Sequence, residues 1–207
     1  MATPYDSVTE FENTIAEYAG AKYGIAVDCC SHAIFLSALY NRIVKGIDRV
    51  VVPKQTYISI PMQFRHAGFT IDFIDQQWQG RYCILPTNIV DSACRFTSGM
   101  YIPETLYCLS FQFHKTLSTI RGGMILTDDE EAVKWIRPRV HDGRDMNIEY
   151  EQDDITCLGY HMHMTPESAK LGLEKFNSII QLHNKDVCGY EYYHDVSYVN
   201  NLEYGEK

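Results

Sequence analysis

The chain has 207 residues, 45% of them hydrophobic and 22% charged, which is ordinary for a globular protein and enough for one substantial core. Its 27 acidic residues against 18 basic ones give a formal net charge of −9, with no run of basic residues, so no face is built for a nucleic-acid backbone. No apolar stretch nears the roughly 18 residues of a membrane helix, and the N-terminus lacks the basic-then-apolar pattern of a secretory leader.

The elements follow in chain order. Residues 6–19, "DSVTEFENTIAEYA", put Phe11, Ile15 and Tyr18 on one helical face, and Gly20 stops the helix. "YGIAVDC" reads as a strand and "SHAIFLSALYNRIV" as a helix, with Ser31 where an N-cap would stand. "DRVVVPK" is a strand, "ISIPMQFRHAG" a helical segment interrupted at Pro61, and "TIDFID" a further strand. Residues 76–87, "QQWQGRYCILPT", join this strand to "NIVDSA", a strand ending at Asp91. "TLYCLSF" and "GGMILT" are two more strands, and Lys115 lies in the joint between them. The acids of "TDDEEAVKWIRPRV" start a helix capped by Thr or Asp. "TPESAKLGLEKFNSIIQLH", residues 165–183, is a long amphipathic helix with Pro166 at its first position. The tail from residue 185 has little apolar periodicity and reads as an extended arm. The cysteines, seven and so odd in number, lack paired C-x-x-C spacing and read as free buried thiols of a reducing, cytoplasmic compartment.

Strands alternating with helices predict an α/β domain with a mostly parallel sheet, whose ligands bind beyond the carboxyl ends of the strands. The Cys29-Cys30-Ser31 turn, Asp91 and the Ser110–Lys115 loop all fall at such ends. A helix N-terminus with a hydroxyl suits a phosphate, a carboxylate can pair with a protonated ring nitrogen, and a lysine can form a Schiff base. These are the three handles of pyridoxal phosphate.

With those residues in place, the chain resembles the sugar aminotransferases of the DegT/DnrJ/EryC1/StrS family. The stretches that carry the resemblance are "FENTIAEYAGAKYGIAVDCCSHAIFLSAL", "VVVPKQTYISIPMQFRHAGFTIDFID", "IVDSA", "LSFQFHKTLSTIRGGMILTDDEEA" and "LGYHMHMTPESAKLGLEKF". The resemblance implies a three-layer, fold-type I large domain over residues 1–183, with 184–207 as a C-terminal tail or arm. It implies that Lys115 forms the Schiff base with pyridoxal 5′-phosphate and shuttles protons, while Asp91 keeps the ring nitrogen protonated. Ser110, Ser31 and the backbone at Cys30 would hold the phosphate, and Tyr57 would stack on the ring. Cys94 occupies the position near the ring oxygen. His161 stands where the family has an asparagine that reaches the partner subunit's cofactor, which implies a homodimer with shared sites. The substrates implied are a keto nucleotide-sugar and an amino-acid donor, glutamate, in glycan or polysaccharide synthesis.

The chain also departs from the family pattern. Cys29-Cys30-Ser31 replaces the usual Ser-Gly-Thr, a strand–helix unit is missing between residues 75 and 88, and most of the C-terminal small domain is expected to be absent. The alternative is therefore a non-catalytic cofactor-binding remnant, or an accessory subunit of a longer aminotransferase. Residue by residue, other readings stay open. Taken singly, Lys115 also reads as a solvated loop lysine, Asp91 as a turn cap, Ser31 as a helix cap and Tyr57 as core, and it is their combination that favours the cofactor roles. His161 and His163 in "HMH" share a strand face, yet no acid or cysteine stands at a ligand spacing, so no metal is expected. Arg144 in "HDGRD" is either a phosphate ligand or part of a surface turn. Gly122 and Gly123 let the backbone pass close to the lysine loop.

Overall fold

Helix α1 (Asp6–Ala19) leads into β1 (Tyr23–Val27), α2 (Cys30–Ile43), β2 (Arg49–Pro53), α3 (Ser59–His66) and β3 (Thr70–Ile74). Strands β4 (Tyr82–Ile84), β5 (Ile89–Asp91), β6 (Leu106–Ser110) and β7 (Gly123–Thr127) follow, then α4 (Glu130–Val140) and α5 (Pro166–Ile179). The computed structural model describes residues 5–146, 148–179 and 186–203. The end of the expected last helix, 180–183, and residues 184, 185 and 204–207 lie outside them.

Strands β1 and β6 flank β7, both antiparallel to it; β5 pairs parallel with β6, and β4 antiparallel with β5. Beyond β4 stand β2 and β3, a parallel pair tied to it where Val51 N–H donates to Leu85 O at 2.7 Å. The spatial order is therefore β1-β7-β6-β5-β4 and then β2-β3. Strands β1, β2, β3, β5 and β6 share one direction, and only β4 and β7 oppose them. The expected α/β architecture is present, but the sheet is mixed rather than mostly parallel: only β5–β6 and β2–β3 pair parallel, because β4 and β7 run against their neighbours.

Period-two alternation sends side chains to two cores. Ile25, Val27, Leu106, Cys108 and Ile125 face the core that holds α2, α3 and α4. Ala26, Tyr107, Leu109, Met124 and Leu126 face the core that holds Phe11 and Ile15 of α1 and Phe176 of α5. Helix, sheet and helix make three layers. Helix α1 ends at Gly20, whose φ of 83° is a left-handed cap donating to Ala16 O and Glu17 O.

Four further sequence expectations are corrected. Ser31 is not the N-cap of α2: Cys29 is, extended at φ −164° and ψ 160° and making no side-chain cap bond. Pro61 does not interrupt α3, because it falls in the first turn, where a missing N–H costs no intrahelical bond. The segment 76–87 is more than a joint, since it supplies β4 and buries Trp78. The tail is not a detached arm. Residues 186–203 fold back over the body, with Val187 N–H donating to Cys94 O and Val196 N–H to Lys54 O. Arg95 grips Asp186 through Nε and Nη2, both at 2.7 Å.

Candidate active site

The carboxyl ends of β5 and β6, the start of α2 and the folded-back tail enclose a cavity of about 460 Å³. The body supplies Cys29, Cys30, Ser31, Tyr57, Ser110 and Lys115, and the tail supplies Val187, Cys188, Tyr192 and Tyr193. Most of the residues singled out from the sequence thus meet in one place.

Lys115 leaves the loop after β6, its backbone N–H donating to Gln112 O at 2.8 Å. Its Nζ reaches to 4.0 Å from Cys94 Sγ, and among the described residues no carboxylate pairs with it. An amine in a joint between two core strands is thus turned toward a cavity and left unneutralised. Asp91 ends β5 and is 5% exposed; it does not itself line the cavity, but its neighbour Ala93 does, and its charge acts on Lys115 and Cys30, which also line it. Its Oδ1 accepts from Ala93 N–H at 3.0 Å and its Oδ2 from the Tyr82 hydroxyl at 2.8 Å. Burial raises the Asp91 carboxyl above its ordinary value, opposed by Ala93 N–H, Tyr82 and the charge of Lys115.

At the other end of the cavity, Ser31 Oγ is 2.7 Å from Ser59 Oγ, and Ser110 Oγ accepts from Gln112 N–H at 3.4 Å. Because no side chain caps α2, its first amides are open toward this end, where an anion is favoured. The positive charge is reinforced. Asp28 holds His32 Nδ1 at 2.5 Å and Arg121 Nη2 at 2.7 Å. The Asp28 hydrogen bond is the main cause lifting the His32 imidazole to about 9, so two cations share one carboxylate beside the helix N-terminus. Gly123 permits this packing, since a Cβ there would lie 2.5 Å from the Cys29 carbonyl carbon and the Cys30 amide nitrogen. Burial, followed by Asp91, pushes the Cys30 thiol well up, and burial raises the Tyr193 phenol to about 12.

The donor set fits pyridoxal phosphate. Ser31, Ser110 and the amides at Cys30 suit its phosphate, Asp91 its ring nitrogen, Lys115 its aldehyde and Tyr57 its ring face. Tyr57 is 56% exposed and meets Tyr193 edge-on at 6.4 Å. Cys94 lies beside Lys115, but as one half of a disulfide with Cys188, Cα to Cα 5.3 Å. This corrects the reading of all seven cysteines as free thiols; Cys29, Cys30, Cys83, Cys108 and Cys157 are free. His161 lies outside the cavity, exposed, with Nδ1 at 2.7 Å from Asp142 Oδ2. Arg144 is held by Asp153 at 3.3 Å and by the Tyr150 ring rather than turned to the cavity.

Sequence reasoning passed over Tyr82, Val187, Cys188, Tyr192 and Tyr193. Tyr82 opposes Asp91 in the β4–β5 register, a pairing that a three-residue strand does not announce. It also passed over Asp28 and His32, whose ligand atoms lie with that of Cys29 within 4.8 Å of one another in a geometry that could hold a metal ion. Asp28 is already committed to His32 and Arg121.

Comparison with known proteins bears on this site. The DegT/DnrJ/EryC1/StrS aminotransferase family model matches residues 1–103 and 103–196. The spore coat polysaccharide biosynthesis protein SpsC of Bacillus subtilis (strain 168) is 25% identical, over 88% of this chain and 60% of that protein. The GDP-perosamine synthase of Caulobacter vibrioides is 23% identical, over 83% of this chain and 57% of that protein. Among solved structures, the sugar aminotransferase CalS13 from Micromonospora echinospora shares the fold, with a TM-score of 0.73 at 13% identity, over 85% of this chain and 61% of that one. The chain thus spans about three fifths of the length of these relatives.

Proposed function

The chain belongs to the DegT/DnrJ/EryC1/StrS aminotransferase family, and from that premise we propose that it carries the pyridoxal-phosphate site of an aminotransferase acting on a keto nucleotide-sugar. In this reading glutamate donates the amino group, and the aminated sugar enters glycan or polysaccharide synthesis. Residues 1–183 form the cofactor-binding large domain and 184–207 its C-terminal arm. The observation that carries the reading is Lys115 Nζ, turned into the cavity with no carboxylate partner among the described residues, beside the buried acid Asp91.

Pyridoxal phosphate, when bound, supplies an electron sink that stabilises negative charge at the substrate carbon. This chain's residues do the rest. Ser31, Ser110 and the first amides of α2 take the phosphate, backed by His32 and Arg121. Asp91 accepts the ring nitrogen's proton as a hydrogen bond and orients the ring, and Tyr57 covers one ring face. Lys115 Nζ would be the attachment point and, once released, the base that takes the proton from the α-carbon of the amino donor and hands it on to the cofactor. The tail residues Val187, Tyr192 and Tyr193 exclude water from the cavity. A second copy of the chain, approached by His161, completes the site in a homodimer.

The test is an amino-transfer assay with glutamate and a panel of keto nucleotide-sugars. Formation of 2-oxoglutarate that depends on both the sugar and Lys115 supports the reading. A protein that binds the cofactor yet transfers nothing from any donor to any sugar favours the accessory-subunit alternative.

A further inference from the structure

Asp91 does not stand alone. Its Oδ2 accepts from the Tyr82 hydroxyl at 2.8 Å, and the same Tyr82 oxygen is 2.5 Å from Thr56 Oγ1. All three side chains are buried. The direction of the bonds follows from counting protons. Tyr82 has one hydroxyl proton, and an ionised carboxylate can only accept, so that proton goes to Asp91. Thr56 must then donate to the Tyr82 oxygen. Thr56 directly precedes Tyr57, the aromatic residue at the cavity wall, so the chain of bonds links Asp91 to the segment that carries this wall residue.

We propose that Tyr82 is a positioning residue of this site: with Thr56 behind it, its hydroxyl fixes both the orientation and the ionised state of Asp91. The role of Asp91 toward a ring nitrogen rests on the cofactor reading above; the hydroxyl chain itself does not. A buried carboxylate without such donors would take up a proton and lose its use as a hydrogen-bond acceptor. Tyr82 remains a donor across ordinary pH, because burial and then the Asp91 charge push its phenol well above the usual range. The other groups facing Asp91 are Lys115 from the loop after β6, Cys30 from α2, Cys108 from β6, Tyr193 from the tail and the Ala93 N–H. Of these, only Tyr82 and Ala93 N–H donate to it, and only Tyr82 can be removed without altering the backbone.

The experiment is a carbon-13 NMR titration of the aspartate carboxyls in the full chain, first without cofactor. It compares the unaltered protein with Tyr82→Phe and Thr56→Val, using Asp91→Asn to assign the resonance. Tyr82→Phe is expected to raise the Asp91 midpoint by about one pH unit. Thr56→Val should move it the same way by less, and the other aspartates should stay in place. Pyridoxal phosphate should bind Tyr82→Phe up to about tenfold more weakly at pH values below the measured Asp91 midpoints, with the loss recovered as pH rises and Asp91 ionises. An Asp91 midpoint unchanged in both variants overturns the proposal. Should Tyr82→Phe fail to fold, the Thr56→Val shift alone decides it. Should no form bind the cofactor, the functional reading fails while the titration still decides the role of Tyr82.

Discussion

At the scale of single residues, the site depends on what is missing as much as on what is present. Gly123 has no side chain because the Cys29–Cys30 backbone occupies that space. Gly123→Ala should therefore push the start of α2 away from β7, costing about 1–3 kcal/mol of stability and disrupting the end of the cavity that Ser31 and Ser110 line. Chemical denaturation together with cofactor titration checks this, and a variant that keeps both stability and affinity would show that the close approach is not needed. Lys115, Asp91, Ser110 and Ser31 could be read from sequence because strands deliver their last residues to one edge of an α/β sheet. Tyr82 could not, because its meaning depends on the register Tyr82–Asp91, which no local pattern encodes. The cap of α2 is less legible, because a serine before an apolar helix reads the same whether the helix begins at it or, as here, one residue earlier.

Among the elements, the long helices and core strands follow their sequence patterns, and the departures are where short segments are held by distant partners. The tail is such a case. Its apolar residues have no period because they fill a fixed surface: Cys188 and Val196 are buried against the body, and Tyr193 stacks on Trp78 at 5.7 Å. Cys94 and Cys188 are 94 positions apart, so spacing alone does not suggest their pairing. Thiol titration of the denatured, unreduced protein should find the five free cysteines and no more. Cys188→Ser should lower stability by about 2–4 kcal/mol and open the tail to proteolysis; seven reactive thiols and an unchanged stability would contradict the bond. The end of α4 gives a different prediction. His141 stacks on His163 at 5.1 Å with Tyr5 at its edge, and burial is the main cause lowering its pKa from 6.5 to about 4. A histidine held neutral by the fold favours the folded state above the unfolded pKa. That contribution is lost as pH falls from 6.5 toward 4, since the unfolded chain takes the proton first. Glu12, raised by burial despite its pair with Arg137, acts with the opposite sign and gains as pH falls. His141→Phe should therefore flatten the decline of melting temperature across that window, and an unchanged decline would place the acid sensitivity elsewhere.

For the whole molecule, the three layers and the five co-directed strands carry the residues of the candidate site to one edge, while β4 fills the gap between β5 and β2 running the opposite way. Within the described residues, no helix is long and apolar enough to cross a membrane. The fold class was readable because alternating helix and strand periods leave few arrangements, whereas the reversal of β4 was not, since three residues carry no direction. The central claim is that Lys115 holds pyridoxal phosphate in this cavity. The direct measurement is the visible absorption of the desalted protein after incubation with pyridoxal phosphate, recorded for the unaltered chain and for Lys115→Ala, before and after glutamate. A visible band present in the unaltered chain, absent from Lys115→Ala and bleached by glutamate is the predicted result. The absence of any band in the unaltered chain, or a band that persists in Lys115→Ala, would contradict it.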